Sequence, residues 1–114
     1  MLHIRPAVES DTPEIFAMIN ELAAYEKAPE EVTSTEEDVR THLFGDNPRV
    51  YTLIAEVDGV VQGMAMWFLN YSTWHGRHGI WLEDLYVREP MRGNGIGTAL
   101  LKELAKIAVD NDYR

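Results

Sequence analysis

The chain has 114 residues, enough for one small domain spanning 1–114, and its 46% hydrophobic and 25% charged residues are the balance of an ordinary globular protein. With 19 acids against 10 Lys and Arg the formal net charge is −9, a field that repels nucleic-acid phosphates and draws in cations. No run is apolar enough to span a membrane, no secretory leader opens the chain, and the lack of cysteine excludes a disulfide frame, a thiolate nucleophile and a zinc–thiolate site, a composition that fits a cytoplasmic protein.

Leu2 to Pro6 reads as a first strand. Thr12 has the chemistry of an N-cap, with Pro13 at the first helical position and Glu14 in the first turn. Ile15, Phe16, Met18, Ile19, Leu22 and Ala23 recur at helical spacing, which predicts a helix to about Glu26. Pro29 stops it. Ser34-Thr-Glu-Glu37 reads as a capping box, and the second helix it opens runs through Val39, Leu43 and Phe44 to Gly45. Six acids and one lysine lie between Glu26 and Asp38. Most are expected to face water, with one or two available to an amine.

Tyr51 to Val57 alternates as a strand, Asp58-Gly59 is a two-residue hairpin turn, and Val60 to about Tyr71 returns as a long strand. Gly63 inside it signals a bulge or a close contact. Ser72 to Gly79 reads as a polar loop, and Ile80 to Val87 as the fourth strand. The third helix is predicted from Gly95 or Ile96 to Asp110, with Ile96, Leu100, Leu101, Leu104, Ile107 and Ala108 as its buried stripe. The order β-α-α-β-β-β-α argues for an α+β fold, an antiparallel meander with helices packed on it. The fourth strand has no visible partner on its far side.

Two stretches carry chemistry. The first is Arg92-Gly93-Asn94-Gly95-Ile96-Gly97-Thr98, between a strand and a helix. Glycines at a helix N-terminus let a ligand approach unpaired N–H groups and a partial positive charge, which suits phosphate oxygens. A P-loop would need a lysine after the last glycine, and the dinucleotide fingerprint a glycine at 98. A plain glycine-rich turn is the alternative. The second is Glu83-Asp84 within the apolar fourth strand. By alternation Trp81, Glu83, Leu85 and Val87 share one face and Ile80, Leu82, Asp84 and Tyr86 the other. A carboxylate there must be paired, with Arg77, Arg88 or Arg92, or must open onto a polar cleft, where desolvation raises its pKa toward that of a general base. Most aromatics of this region read as core, while Tyr71 and Trp74 are placed to wall a groove. His75 and His78 read as loop residues, and no metal site is expected.

With those residues in hand, the chain resembles the GNAT acetyltransferases, and within them the spermidine/spermine and thialysine N-acetyltransferase subgroup. The likeness rests on Ile4-Arg-Pro-Ala7, Glu21-Leu-Ala-Ala-Tyr-Glu26, Gly63-Met-Ala-Met66 leading to Tyr71 and Trp74, Leu82-Glu-Asp84, and the 92–97 loop. It implies a GNAT-like fold and acetyl transfer from acetyl-CoA to a primary amine of a small cationic substrate, a polyamine or diamine. A lysine-like acceptor of the thialysine type is an alternative, as is a non-catalytic CoA-binding fragment. It further implies that backbone groups of Leu85, Tyr86 and Val87 pair with the pantetheine arm. Arg92 to Thr98 would hold the pyrophosphate, Tyr25, Glu26, Asp84 and Trp74 would meet the amine, and Glu83 would be the general base. A homodimer is expected on the same grounds. In the family a fifth strand, a further helix and closing strands follow the third helix, and that helix carries a tyrosine that protonates the leaving thiolate. Nothing of this follows Arg114, so the sequence reads as the N-terminal two thirds of such a domain.

Overall fold

The computed structural model describes every residue from 1 to 114. Its elements are β1 (Leu2–Pro6), α1 (Thr12–Tyr25), α2 (Glu36–Phe44), β2 (Tyr51–Val57), β3 (Val60–Ser72), β4 (Arg77–Val87) and α3 (Ile96–Asp110), with single 3-10 turns at Glu9–Asp11, Pro29–Glu31 and Glu89–Met91. The strands form one antiparallel sheet in the order β1-β2-β3-β4. No helix is long and apolar enough to cross a membrane.

The sheet carries a core on each face. On one side Ile15 and Met18 of α1 and Val39 of α2 pack against Ile54, Met64, Met66 and Tyr86. On the other, Ile96, Leu100 and Leu104 of α3 pack against Leu53, Ala55, Ala65 and Trp67. Alternation along β2 and β3 sends successive residues to opposite helical layers, so neither strand has a solvent face at its centre. Each fully buried aliphatic side chain contributes about 1.5–3 kcal/mol, and these two clusters fix where the helix ends lie.

Several local expectations hold. Asp58 (φ 52) and Gly59 (φ 83) form a hairpin turn of the left-handed type. Gly63 sits next to a register shift, and a Cβ on it would lie 2.8 Å from the Tyr86 carbonyl. Others are corrected. α1 starts at Thr12 itself; Asp11 precedes it and accepts from the Val8 amide, while the Thr12 hydroxyl donates to the Glu9 carbonyl. The second capping box is shifted by one: Thr35 accepts from the Asp38 amide and Asp38 accepts from the Thr35 amide, so Ser34 and Glu37 do not form it. Gly45 ends α2 with φ −73, not left-handed, and what it accommodates is the Thr41 carbonyl, 2.5 Å from where a Cβ would stand. β4 begins at Arg77, so His78 and Gly79 belong to the strand and the connecting loop is short. Leu101 is 45% exposed and lies off the buried stripe of α3.

The largest correction concerns β4. Met66 pairs with Asp84, but Trp67 pairs with Leu82, so Glu83 is an extra residue in β4. This β-bulge resets the alternation. Ile80 and Leu82 lie on the α3 face together with Leu85 and Val87, whereas Tyr86 packs with α1. The expected partition of Glu83 with Leu85 and of Leu82 with Tyr86 fails for that reason.

Candidate active site

The glycine loop is built by the end of β4 and the start of α3. Gly93 (φ 86) and Gly95 (φ 78) are left-handed, and a Cβ on either would meet nothing within 4 Å. Any other residue at these positions costs about 1–2 kcal/mol of backbone strain. The first helical hydrogen bond runs from the Ala99 amide to the Gly95 carbonyl, 3.0 Å, so the amides of Ile96, Gly97 and Thr98 lack intrahelical acceptors. Val87, Met91, Arg92, Gly93, Gly95, Ile96, Gly97 and Thr98 line an open concavity of about 310 Å³. Asn94 is turned out of it and donates from its side-chain amide to the Met91 carbonyl. A helix N-terminus of this kind, faced by glycines and flanked by one arginine, fits the pyrophosphate of a nucleotide carrier.

β4 leads into this concavity. It is hydrogen-bonded to β3 alone along Leu85, Tyr86 and Val87, which leaves its other edge outward. The Val87 carbonyl on that edge accepts a 2.8 Å hydrogen bond from Arg92 Nε. The Arg92 guanidinium lies 4.6 Å from the Tyr25 ring centre and 5.5 Å from that of Tyr86. The loop and the end of α1 are therefore in contact through one side chain.

The second component is a cluster of acids. α1 ends in a Schellman turn: the Lys27 amide donates to Ala24, the Ala28 amide to Ala23, and Lys27 takes φ 61. That turn leaves Tyr25 and Glu26 exposed at the tip of the helix. Asp84 is half-buried on β4, and its carboxylate forms no hydrogen bond or ion pair within the chain. Burial pushes its carboxyl up from the ordinary carboxylate range, and the charges of Glu83 and Glu26 push the same way. Glu83, at the bulge, is exposed. Tyr25, Glu26, Glu83 and Asp84 thus gather near the β4 end of α1. None of the three candidate arginines pairs with either carboxylate. Arg77 pairs with Asp112, Arg88 with Glu14 and Glu21, and Arg92 lies against the tyrosines.

Trp74 stands apart. It is 93% exposed in the β3–β4 hairpin loop, before β4 begins, and Asp84 is seven residues into that strand from Arg77, roughly 23 Å along it. Tyr71 also lies near that end, edge-on to His78 with ring centres 5.0 Å apart. No group of three or more potential metal ligands converges anywhere in the chain.

Sequence reasoning did not pick out the contact that ties these parts together. Glu21 of α1 accepts from the Tyr86 hydroxyl at 3.1 Å and from Arg88 Nε and Nη2 at 3.1 and 3.0 Å. Burial and the Glu21 hydrogen bond push the Tyr86 phenol up. Arg88 stays firmly charged, because its bonds to Glu21 and Glu14 outweigh its burial. The available signal was the spacing of Glu14 and Glu21, two turns apart on one face of α1.

Comparison with known proteins points the same way. A model of the acetyltransferase (GNAT) family matches residues 15–114. Thialysine N-ε-acetyltransferase of Sus scrofa is 44% identical to the chain, over 94% of this chain and 67% of that protein. Spermidine/spermine N(1)-acetyltransferase-like protein 1 of Homo sapiens is 41% identical over 93% of this chain and 16% of that protein. Among solved structures, an aminoglycoside acetyltransferase from an uncultured soil metagenomic sample superposes with a TM-score of 0.82, covering 99% of this chain and 73% of that one. At 17% identity that likeness shows the fold alone.

Proposed function

Since the chain belongs to the acetyltransferase (GNAT) family, whose members move an acetyl group from acetyl-CoA to an amine, we propose that the acceptor here is a small cationic primary amine, a polyamine or diamine, bound by Tyr25, Glu26, Glu83 and Asp84. One observation carries this reading. The Asp84 carboxylate is half-buried, without an internal partner, and feels the charges of Glu83 and Glu26, on the strand whose end at Val87 lines the glycine concavity. A lone desolvated carboxylate is costly, and a substrate ammonium supplies the charge it lacks.

Acetyl-CoA supplies the acyl group as co-substrate. In this reading the amides of Gly95 to Thr98, with Arg92, hold its pyrophosphate, and the outward edge of Leu85, Tyr86 and Val87 receives its pantetheine arm. An alkyl ammonium has a pKa near ~10.4, so the neutral nucleophile costs about 4–5 kcal/mol at pH 7. A carboxylate within hydrogen-bond reach takes that proton. Glu83 is the base in this proposal, because the bulge sets it at the exposed rim, while Asp84 holds the cation. Trp74 has no role in it, given its distance along the hairpin.

A lysine-like amino acid of the thialysine type is the second reading, favoured by the activity named for the pig, mouse and cattle relatives. Cytoplasmic residence and pairing into a homodimer complete the proposal; light scattering on the purified protein tests the latter. The deciding experiment is release of CoA thiol on mixing the chain with acetyl-CoA and a panel of diamines, thialysine and monoamines. Turnover that favours dications supports the first reading, preference for thialysine the second. No turnover with any amine, despite acetyl-CoA binding, defeats both.

A further inference from the structure

We infer that Glu21 is a positioning residue of the amine site, an inference that rests on the amine reading above. Its carboxylate, carried by α1, is hydrogen-bonded to Tyr86 of β4 and to Arg88 just beyond it. Glu21 lies one turn before Tyr25 on α1, and its Oε1 accepts from the Tyr86 hydroxyl and from Arg88 Nε, both at 3.1 Å. Its Oε2 accepts from Arg88 Nη2 at 3.0 Å, and Arg88 Nη1 donates to the Val61 carbonyl on β3 at 3.0 Å. One carboxylate therefore ties the last turns of α1 to β4, and through Arg88 to β3. Tyr86 is two residues beyond Asp84 on the α1 face of β4, and Tyr86 and Tyr25 together flank the Arg92 guanidinium. Glu21 thus fixes, together with the Arg92 contact, how the end of α1 carrying Tyr25 and Glu26 sits against the strand carrying Asp84.

The role is distinct from simple stabilisation. α1 is docked by Ile15 and Met18, both fully buried, and Arg88 keeps a second partner in Glu14 at 2.7 Å. Removing the Glu21 charge leaves the helix docked and Arg88 paired. It weakens the hold on the Tyr86 hydroxyl and on the end of α1, because in Glu21→Gln the amide has one acceptor oxygen where the carboxylate had two and turns N–H donors toward Arg88 or Tyr86. Glu14 is the matched control, since it shares Arg88 but lies about three turns from Tyr25, at the far end of α1.

The test compares Glu21→Gln with Glu14→Gln by steady-state kinetics with acetyl-CoA and a diamine, by thermal melting, and by NMR of the Tyr ring protons without ligand. Glu21→Gln is expected to raise the diamine KM about tenfold, as displacements of an ångström or less do at such sites, with kcat changed less and melting close to wild type. Glu14→Gln is expected to leave the diamine KM in place. Glu21→Gln should also move the Tyr25 and Tyr86 ring signals, and Glu14→Gln should not. Equal KM changes in the two variants, or a melting change alone, overturn the inference. If wild type acetylates no amine, the function reading fails, and the NMR comparison then decides on Glu21 alone: unmoved Tyr25 signals overturn its role.

Discussion

Two carboxylates in this chain are shifted in opposite directions, one held down by a paired arginine and one raised by burial without a partner, and each predicts a pH dependence of its own sign. Asp11 is buried and held by Arg5 through paired hydrogen bonds of 2.7 and 2.9 Å. The Arg5 bond holds its pKa below the ordinary range against the pull of burial. Its contribution is therefore complete above the unfolded value and is lost as pH falls through the folded one. Asp11→Ala leaves Arg5 with Glu56, at 3.3 Å, as its one carboxylate partner, and is expected to cost about 3 kcal/mol at pH 7, measured by urea denaturation. That cost should shrink in strong acid. Asp84 is the reverse case. Burial raises its pKa, so the folded protein binds a proton more tightly than the unfolded chain, and stability falls as pH rises past the unfolded value near 3.8 toward the folded one. Asp84→Asn is thus expected to raise the melting temperature at pH 7 and to give no gain near pH 3. The same variant should weaken diamine binding by about tenfold to a hundredfold, the worth of a hydrogen bond to a charged group. A variant that loses both stability and binding would mark Asp84 as structural.

At the scale of elements, what was legible followed from strong local rules. β1 and β2 run between the residues expected, and Asp58-Gly59 turns as a positive-φ pair must. The misses share a cause. Ser34-Thr35-Glu36-Glu37-Asp38 contains two overlapping capping boxes, and local chemistry does not choose between them; the docking of Val39 on the sheet does. The bulge at Glu83 leaves no mark in a period-two reading, because an extra residue looks like one more alternation until β3 is laid beside β4. The glycine loop was legible, since positive φ at Gly93 and Gly95 has few other solutions. Gly97 separates a binding role for this loop from a merely conformational one. It lies inside α3, and a Cβ on it would touch only Leu85 and Val87 side chains at 4.0 Å. Gly97→Ala is therefore expected to stabilise the fold by about 0.4–1 kcal/mol, because its backbone is already helical and the unfolded chain loses freedom. If the concavity holds a pyrophosphate, the added methyl also obstructs the approach of phosphate to the helix amides. Calorimetric titration with acetyl-CoA should then show a clear loss of affinity in a protein that melts higher. Unchanged affinity would reduce the loop to a turn.

The whole molecule measures 41 × 32 × 27 Å and carries a formal charge of −9. At an ionic strength of 0.01 M the screening length is about 30 Å, comparable to the molecule, so an approaching cation feels most of that charge. At 0.15 M the length is about 8 Å, and only acids near the site, Glu26, Glu83 and Asp84, still act on it. The global field then affects encounter, and the local cluster affects holding. For a dication both effects scale with its charge. The expected outcome is that kcat/KM for a diamine falls several-fold between ~0.01 M and ~0.15 M salt, more steeply than for a monoamine of equal length, while kcat barely moves. Stopped-flow or steady-state kinetics across that range would measure it. Equal slopes for the two amines would mean that the acidic surface serves solubility, and that selection of the acceptor rests on the geometry of the α1 tip against the β4 bulge.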